Sequence, residues 1–201
     1  MCSSDLFASL ARRMQEYGAE AVELNLSCPH AKGYGMEMGI DPDVVANIIR
    51  EVKKAVVVPV FAKLTPNTHR LIDVAKAAEE AGADAIVAIN TLKAMRIDVD
   101  ARMPVLSNRY GGLSGPAVRG VGVRCVYELY EALKIPVIGV GGIEDWRSAL
   151  EYMMAGAVAV QIGSGVGRVG TQVFGDVCSG ISAYMAENGF RTINEMVGKV
   201  E

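Results

Sequence analysis

The chain has 201 residues, of which 51% are hydrophobic and 21% charged, a composition that fits one globular domain (residues 1–201) and excludes a disordered or fibrous chain. Its 20 Lys and Arg against 23 Asp and Glu leave a formal charge of -3, which gives no electrostatic ground for a nucleic acid or an anionic membrane as partner. The cysteines Cys2, Cys28, Cys125 and Cys178 form no CxxC pair, so no disulfide framework and no metal site are expected, and a reducing cytoplasm is the expected location.

The opening residues carry no basic stretch followed by an apolar run, and the longest apolar runs are strand-length, so neither an export signal nor a membrane span is read. Periodicity predicts an amphipathic helix over 5–17, ending at Gly18-Ala19 and followed by an apolar strand over 21–26. Gly82-Ala83 and Gly156-Ala157 make the same handover into strands over 85–89 and 158–162, each glycine suiting a left-handed helix C-cap. Pro59 and Pro136 open two further strands, 60–64 and 137–140, proline being tolerated at a strand's first position. Amphipathic helices are predicted between and after them, over 42–55, 71–81, 117–133, 146–155 and 172–187.

The pattern is β-α repeated five times, with continuously apolar strands of the kind covered on both faces in a parallel sheet. Polar and glycine residues gather just after the end of every strand, at 25–29, 63–66, Asn90-Thr91, Gly141-Gly142 and Gly163-Ser164. That is how a (β/α)8 TIM barrel builds its active site. A complete barrel takes about 250 residues, so this chain is expected to hold about the last five β/α units, with three strands missing before its first helix. One long connection, 92–115, is expected to form a short hairpin from 95–99 and 104–106, and long loops in compact domains are usually functional.

Cys28 follows the first strand and is a candidate nucleophile or base; a structural thiol is the competing reading, since reactivity needs a perturbed pKa. His30 is a candidate acid or ligand, with no second histidine at metal-binding spacing. Lys63 ends an apolar strand where its ammonium calls for an anion, either a ligand or Glu23 on the preceding strand. Asn90 and Thr91 hold the equivalent place on the next strand and could read amide edges or simply form a turn. Three glycine clusters, 111–115, 139–143 and 163–165, together describe a phosphate cradle, because only glycine lets the backbone approach so closely.

In order and context, Glu23-Leu24-Asn25-Leu26-Ser27-Cys28-Pro29, Ala62-Lys63-Leu64-Thr65-Pro66-Asn67, Ile89-Asn90-Thr91, Gly111-Gly112-Leu113-Ser114-Gly115-Pro116, Val140-Gly141-Gly142-Ile143 and Gln161-Ile162-Gly163-Ser164 resemble the dihydroorotate dehydrogenase family. Asn90-Thr91-Leu92 with Arg96-Ile97-Asp98 is most similar to the class 1 branch, whose catalytic subunit pairs with an iron–sulfur flavoprotein and uses NAD. The resemblance implies an FMN-dependent barrel that oxidises dihydroorotate to orotate in pyrimidine biosynthesis. It implies Cys28 as catalytic base and Asn25, Asn90 and Thr91 as substrate ligands. Lys63 would lie beside the flavin ring, and Ile89, Ser114, Gly115, Gly141, Gly142, Gly163 and Ser164 would complete the FMN site. A homodimer is expected, with FAD and an iron–sulfur cluster only on a partner subunit. The family's upstream strands carry a further lysine and an Asn-containing loop that this sequence lacks. His30 stands where many members have Asn, and Ser-Cys-Pro-His also resembles dihydropyrimidine dehydrogenase, which acts on uracil and thymine; an inactive flavin-binding fragment is the other alternative.

Overall fold

The computed structural model describes residues 3–26 and 38–200. Helix α1 (Ser3–Glu16) leads into strand β1 (Val22–Asn25), and α2 (Pro42–Ala55), β2 (Val60–Lys63), α3 (Leu71–Glu80) and β3 (Ala85–Ala88) follow. After an excursion come α4 (Arg119–Ala132), β8 (Val137–Val140), α5 (Trp146–Met154), β9 (Ala157–Gln161), α6 (Ser164–Val169) and α7 (Val173–Asn188). The excursion holds four short strands, β4 (Leu92–Ala94), β5 (Ile97–Asp98), β6 (Met103–Pro104) and β7 (Gly111–Leu113).

Local chemistry sets the ends of these elements. Asp41 caps α2, its Oδ1 accepting from the backbone N–H of Asp43 at 2.9 Å, and Pro42 takes the first helical position, where its missing N–H is harmless. At the far end of α3, Gly82 has φ +97°. Its N–H reaches the Glu79 carbonyl at 2.9 Å and the Ala83 N–H reaches Ala78 at 3.0 Å, the paired bonds of a Schellman cap.

The main strands form one parallel sheet in the order β1-β2-β3-β8-β9. Val60, Ala62, Ile86 and Val137 are buried, and so are Ile49 and Val52 of α2, Val74 and Ala78 of α3, Val126 and Leu129 of α4, and Leu150 of α5; all belong to one hydrophobic core. The sheet is curled. Laid flat, β1 and β9 would stand about 19 Å apart at ordinary strand spacing, yet Gln161 Nε2 of β9 donates to Glu23 Oε2 of β1 at 2.6 Å. The concave side so formed is where the strand ends meet.

The expected hairpin in the excursion is present, with Ile97 opposite Pro104 and Asp98 opposite Met103. A second antiparallel pair, Leu92–Ala94 against Gly111–Leu113, corrects the reading of the 111–115 glycine cluster as wholly a phosphate cradle. Gly111 and Gly112 are strand residues, and a Cβ on Gly112 would run into the Thr91 side chain. Only the end of that cluster reaches the cavity described next. Helix α6, absent from the sequence reading, begins at the glycine turn after β9.

Candidate functional site

A cavity of about 270 Å³ opens at the C-terminal ends of the sheet strands. Lys63, Ile89, Asn90, Thr91, Ser114, Gly141, Gly142, Gly163 and Ser164 line it, as do Leu113, Val118 and Val140. The strand ladder continues into its wall, the Ile89 N–H donating to Val140 O at 2.9 Å and the Asn90 N–H to Leu64 O at 2.9 Å.

One end is polar and charged. Lys63 Nζ lies 3.1 Å from Glu23 Oε1 and donates to Gln161 Oε1 at 3.3 Å, so the lysine both faces the cavity and has Glu23 as ion partner. Asn90 Nδ2 donates to Asn25 Oδ1 at 2.9 Å, joining the ends of β1 and β3. The Thr91 N–H closes a local turn on Asn90 Oδ1 at 2.7 Å. Asn67, quoted in a motif but given no role by the sequence, holds this end together: its Nδ2 donates to Thr91 O and its Oδ1 accepts from the Lys93 N–H, both at 2.9 Å.

The other end is built from three backbone turns. Gly141 and Gly142 have φ +138° and +71°, and Gly115 has +86°. A Cβ on Gly142 would lie 2.6 Å from the Gly115 carbonyl oxygen, and one on Gly165 2.5 Å from that of Ile143. Gly115 is not itself in the cavity wall; it supplies the backbone on which Gly142 rests. The first turn of α6 carries no side-chain cap, so its N–H groups form a partial positive charge at the cavity.

The loop after β8 is fixed from behind. Asp145 Oδ1 accepts from the Ser148 N–H at 2.7 Å while Ser148 Oγ accepts from the Asp145 N–H at 3.0 Å, a capping box on α5. The Ser148 N–H, ahead of the opposing effect of burial, holds the Asp145 carboxyl below its usual range. Glu144 pairs with Arg168 of α6. Beneath the loop, Tyr152 donates its hydroxyl to Gly141 O at 2.7 Å, and burial pushes its phenol well up. The candidate base Cys28, and His30, lie outside the described residues. Among those described, no group of three or more His, Cys, Asp or Glu could hold a metal ion.

The family model for dihydroorotate dehydrogenase matches residues 2–185. The chain belongs to the dihydroorotate dehydrogenase family. The five parallel units are thus (β/α) units of the family's TIM barrel. Relatives named dihydroorotate dehydrogenase B (NAD(+)), catalytic subunit, include one from Thermoplasma acidophilum, 55% identical over 97% of this chain and 64% of its own length. Those of Methanocella arvoryzae and Thermococcus kodakarensis are 57% and 53% identical over 90% and 96% of the chain. The chain spans 60% and 63% of those two relatives' lengths.

The dihydroorotate dehydrogenase family implies a flavin, and the cavity fits such a group at both ends. Gly142 and Gly165 have no room for a Cβ, and Gly115 holds a φ of +86° that side chains rarely adopt, which suits close backbone approach to a phosphate, and an uncapped helix start adds donors. Ile89, Val140 and Leu113 offer apolar surface to a ring, with Lys63 as the cation beside it.

Proposed function

We propose that the protein oxidises dihydroorotate to orotate in pyrimidine biosynthesis, as the FMN-binding catalytic subunit of an NAD-linked dihydroorotate dehydrogenase. The observation that carries this reading is the single cavity in which Lys63, Asn90 and Thr91 meet the three glycine turns. The names of the relatives agree with it.

In this reading Ser114, Gly141, Gly142, Gly163 and Ser164 hold the phosphate and ribityl chain, with Gly115 supporting Gly142 from behind, and Ile89 packs on the ring. Bound FMN supplies the two-electron acceptor. Oxidation removes a proton from one ring carbon of the substrate and hydride from its neighbour, leaving a C=C bond. Cys28 Sγ, three residues beyond the end of β1 in sequence, takes the proton as thiolate. Asn25, Asn90 and Thr91 hydrogen-bond the substrate's polar edge; Asn90 and Thr91 line the cavity, and Asn25, outside its wall, is tied to Asn90 by a side-chain bond. Lys63 places positive charge where negative charge develops on reduction.

The chain is read as one domain, the C-terminal portion of the FMN-binding barrel, working in the cytoplasm. No described helix is long and apolar enough to cross a membrane. Electrons pass to a partner subunit carrying FAD and an iron–sulfur cluster, and the catalytic subunit pairs as a homodimer. Exposed Met95, Ile97, Val99 and Met103 on the excursion support a protein contact there.

The test is anaerobic. The FMN-loaded protein is mixed with dihydroorotate and, separately, with dihydrouracil while the visible flavin spectrum is recorded. Bleaching by dihydroorotate is expected; bleaching by dihydrouracil alone would move the protein to the uracil-reducing relatives that His30 suggests, and absence of FMN binding would overturn the flavin site. Cys28→Ser is expected to keep FMN bound while slowing its reduction at neutral pH by about 10²–10⁴-fold, the usual contribution of a positioned base.

A further inference from the structure

We propose that Glu23 is a positioning residue for Lys63, and that Gln161 completes a closed ring with them that sets where the lysine's charge stands and how much of it the cavity feels. This rests on the flavin reading of the cavity above.

Three strands contribute one residue each: Glu23 from β1, Lys63 from β2 and Gln161 from β9. Lys63 Nζ meets Glu23 Oε1 at 3.1 Å and donates to Gln161 Oε1 at 3.3 Å, and Gln161 Nε2 donates to Glu23 Oε2 at 2.6 Å. The ring closes in one sense only. Turning the Gln161 amide over would set its NH₂ against the ammonium and its oxygen against the carboxylate, so the charges on either side fix its orientation. Gln161 thereby holds the second carboxylate oxygen and leaves the first for Lys63.

A lysine head on a four-carbon stem is otherwise a mobile point charge. Here two of its three N–H donors are directed to Glu23 and Gln161, leaving one for the cavity it lines. The Lys63 and Glu23 side chains are 21% and 28% exposed, so solvent screens the pair less than it screens a pair on the open surface. The carboxylate also offsets the ammonium. A group bound above Lys63 therefore feels a cation whose field is reduced by a fixed neighbouring anion, and Glu23 controls both the position and the net strength of that field.

The experiment measures the reduction potential of bound FMN by spectroelectrochemical titration, with FMN affinity and thermal unfolding followed on the same samples. Glu23→Gln keeps the shape and an acceptor for Lys63 but removes the negative charge. It is expected to favour the reduced flavin about tenfold, which for a two-electron couple is about 30 mV more positive. Glu23→Asp restores the charge and is expected to return most of the shift. In a Lys63→Met protein, Glu23→Gln is expected to give a clearly smaller shift, because the carboxylate's own field is still removed but its hold on the lysine no longer counts.

An unchanged potential in a Glu23→Gln protein that binds FMN normally would overturn the proposal. So would an equal shift in the Lys63→Met background, which would mean that the carboxylate acts by its own field alone and does not position the lysine. A wild-type protein that binds no FMN fails at the earlier step and overturns the flavin reading, and this inference with it.

Discussion

Gly142 shows what one missing carbon does at this site. Its φ of +71° is a conformation L side chains rarely adopt, and a Cβ there would sit 2.6 Å from the Gly115 carbonyl oxygen. Both objections fall on backbone, which cannot rotate aside. Gly142→Ala is therefore expected to cost about 1–3 kcal/mol and to lower FMN affinity at least tenfold, read by thermal unfolding and by flavin fluorescence titration. Gly167→Ala is the control, since a Cβ there meets nothing within 4 Å; it should bind FMN as the parent does. Residues of this kind were legible in the sequence because glycine after an apolar strand has few other uses. Tyr152 was not. Its place depends on Gly122 and Gly139, each of which would clash with it if it carried a Cβ, and no local pattern links a helix tyrosine to glycines on two other elements.

Between elements, the loops after β2 and β3 act as one unit because Asn67 bonds to both. It accepts from the Lys93 N–H and donates to Thr91 O, while Lys93 Nζ stands 3.9 Å over the Tyr110 ring at the far side of the excursion. Asn67→Ala would leave a carbonyl and an N–H without that partner, at a cost of about 0.5–1.5 kcal/mol for each bond. The expected outcome is faster amide hydrogen exchange at Thr91 and Lys93 and weaker substrate binding, with FMN affinity close to the parent's because the glycine turns are untouched. Equal loss of both affinities would show that the two ends of the cavity are not independently supported. Strands, helices and their order were readable from apolar runs and glycine caps, as at Gly82. The pairing of Leu92–Ala94 with Gly111–Leu113 was not, because Gly111 and Gly112 have poor strand propensity and owe their place to the Leu106 side chain that packs on the first and the Thr91 side chain that packs on the second. Helix α6 escaped for the matching reason that Gly165 and Gly167 interrupt a six-residue helix.

For the molecule as a whole, parallel sheet was written in the continuous apolar strands, and its curl only indirectly, in the polar and glycine residues gathered after the strand ends; the bond between Glu23 and Gln161 that joins strands at opposite edges of the sheet has no local signal. The same long-range logic holds at Asp84, which joins three units from the bottom of the sheet. Its Oδ2 accepts from Lys53 Nζ of α2 and from the Val60 N–H of β2, both at 2.7 Å, just before β3 begins. Burial alone would push this carboxyl up, but the bonds from Lys53 and Val60 outweigh it and hold it below its ordinary value of 3.8. A carboxyl lowered by folding binds protons more readily in the unfolded chain, so its stabilisation is complete above about pH 4. It is lost as the pH falls through the folded value. With 41% of the Asp84 side chain exposed, solvent screening limits the ion pair to about 1 kcal/mol or less. Asp84→Asn keeps an acceptor for Val60 but not the charge, and is expected to lower the thermal midpoint at pH 7 by no more than about 2–4 °C. Thermal scans between pH 7 and pH 2 should show that gap constant down to about pH 4 and closing below it, as the wild-type carboxylate takes up its proton. A gap that persisted at pH 2 would assign the loss to altered packing around residue 84 and not to the charge that links α2, β2 and β3.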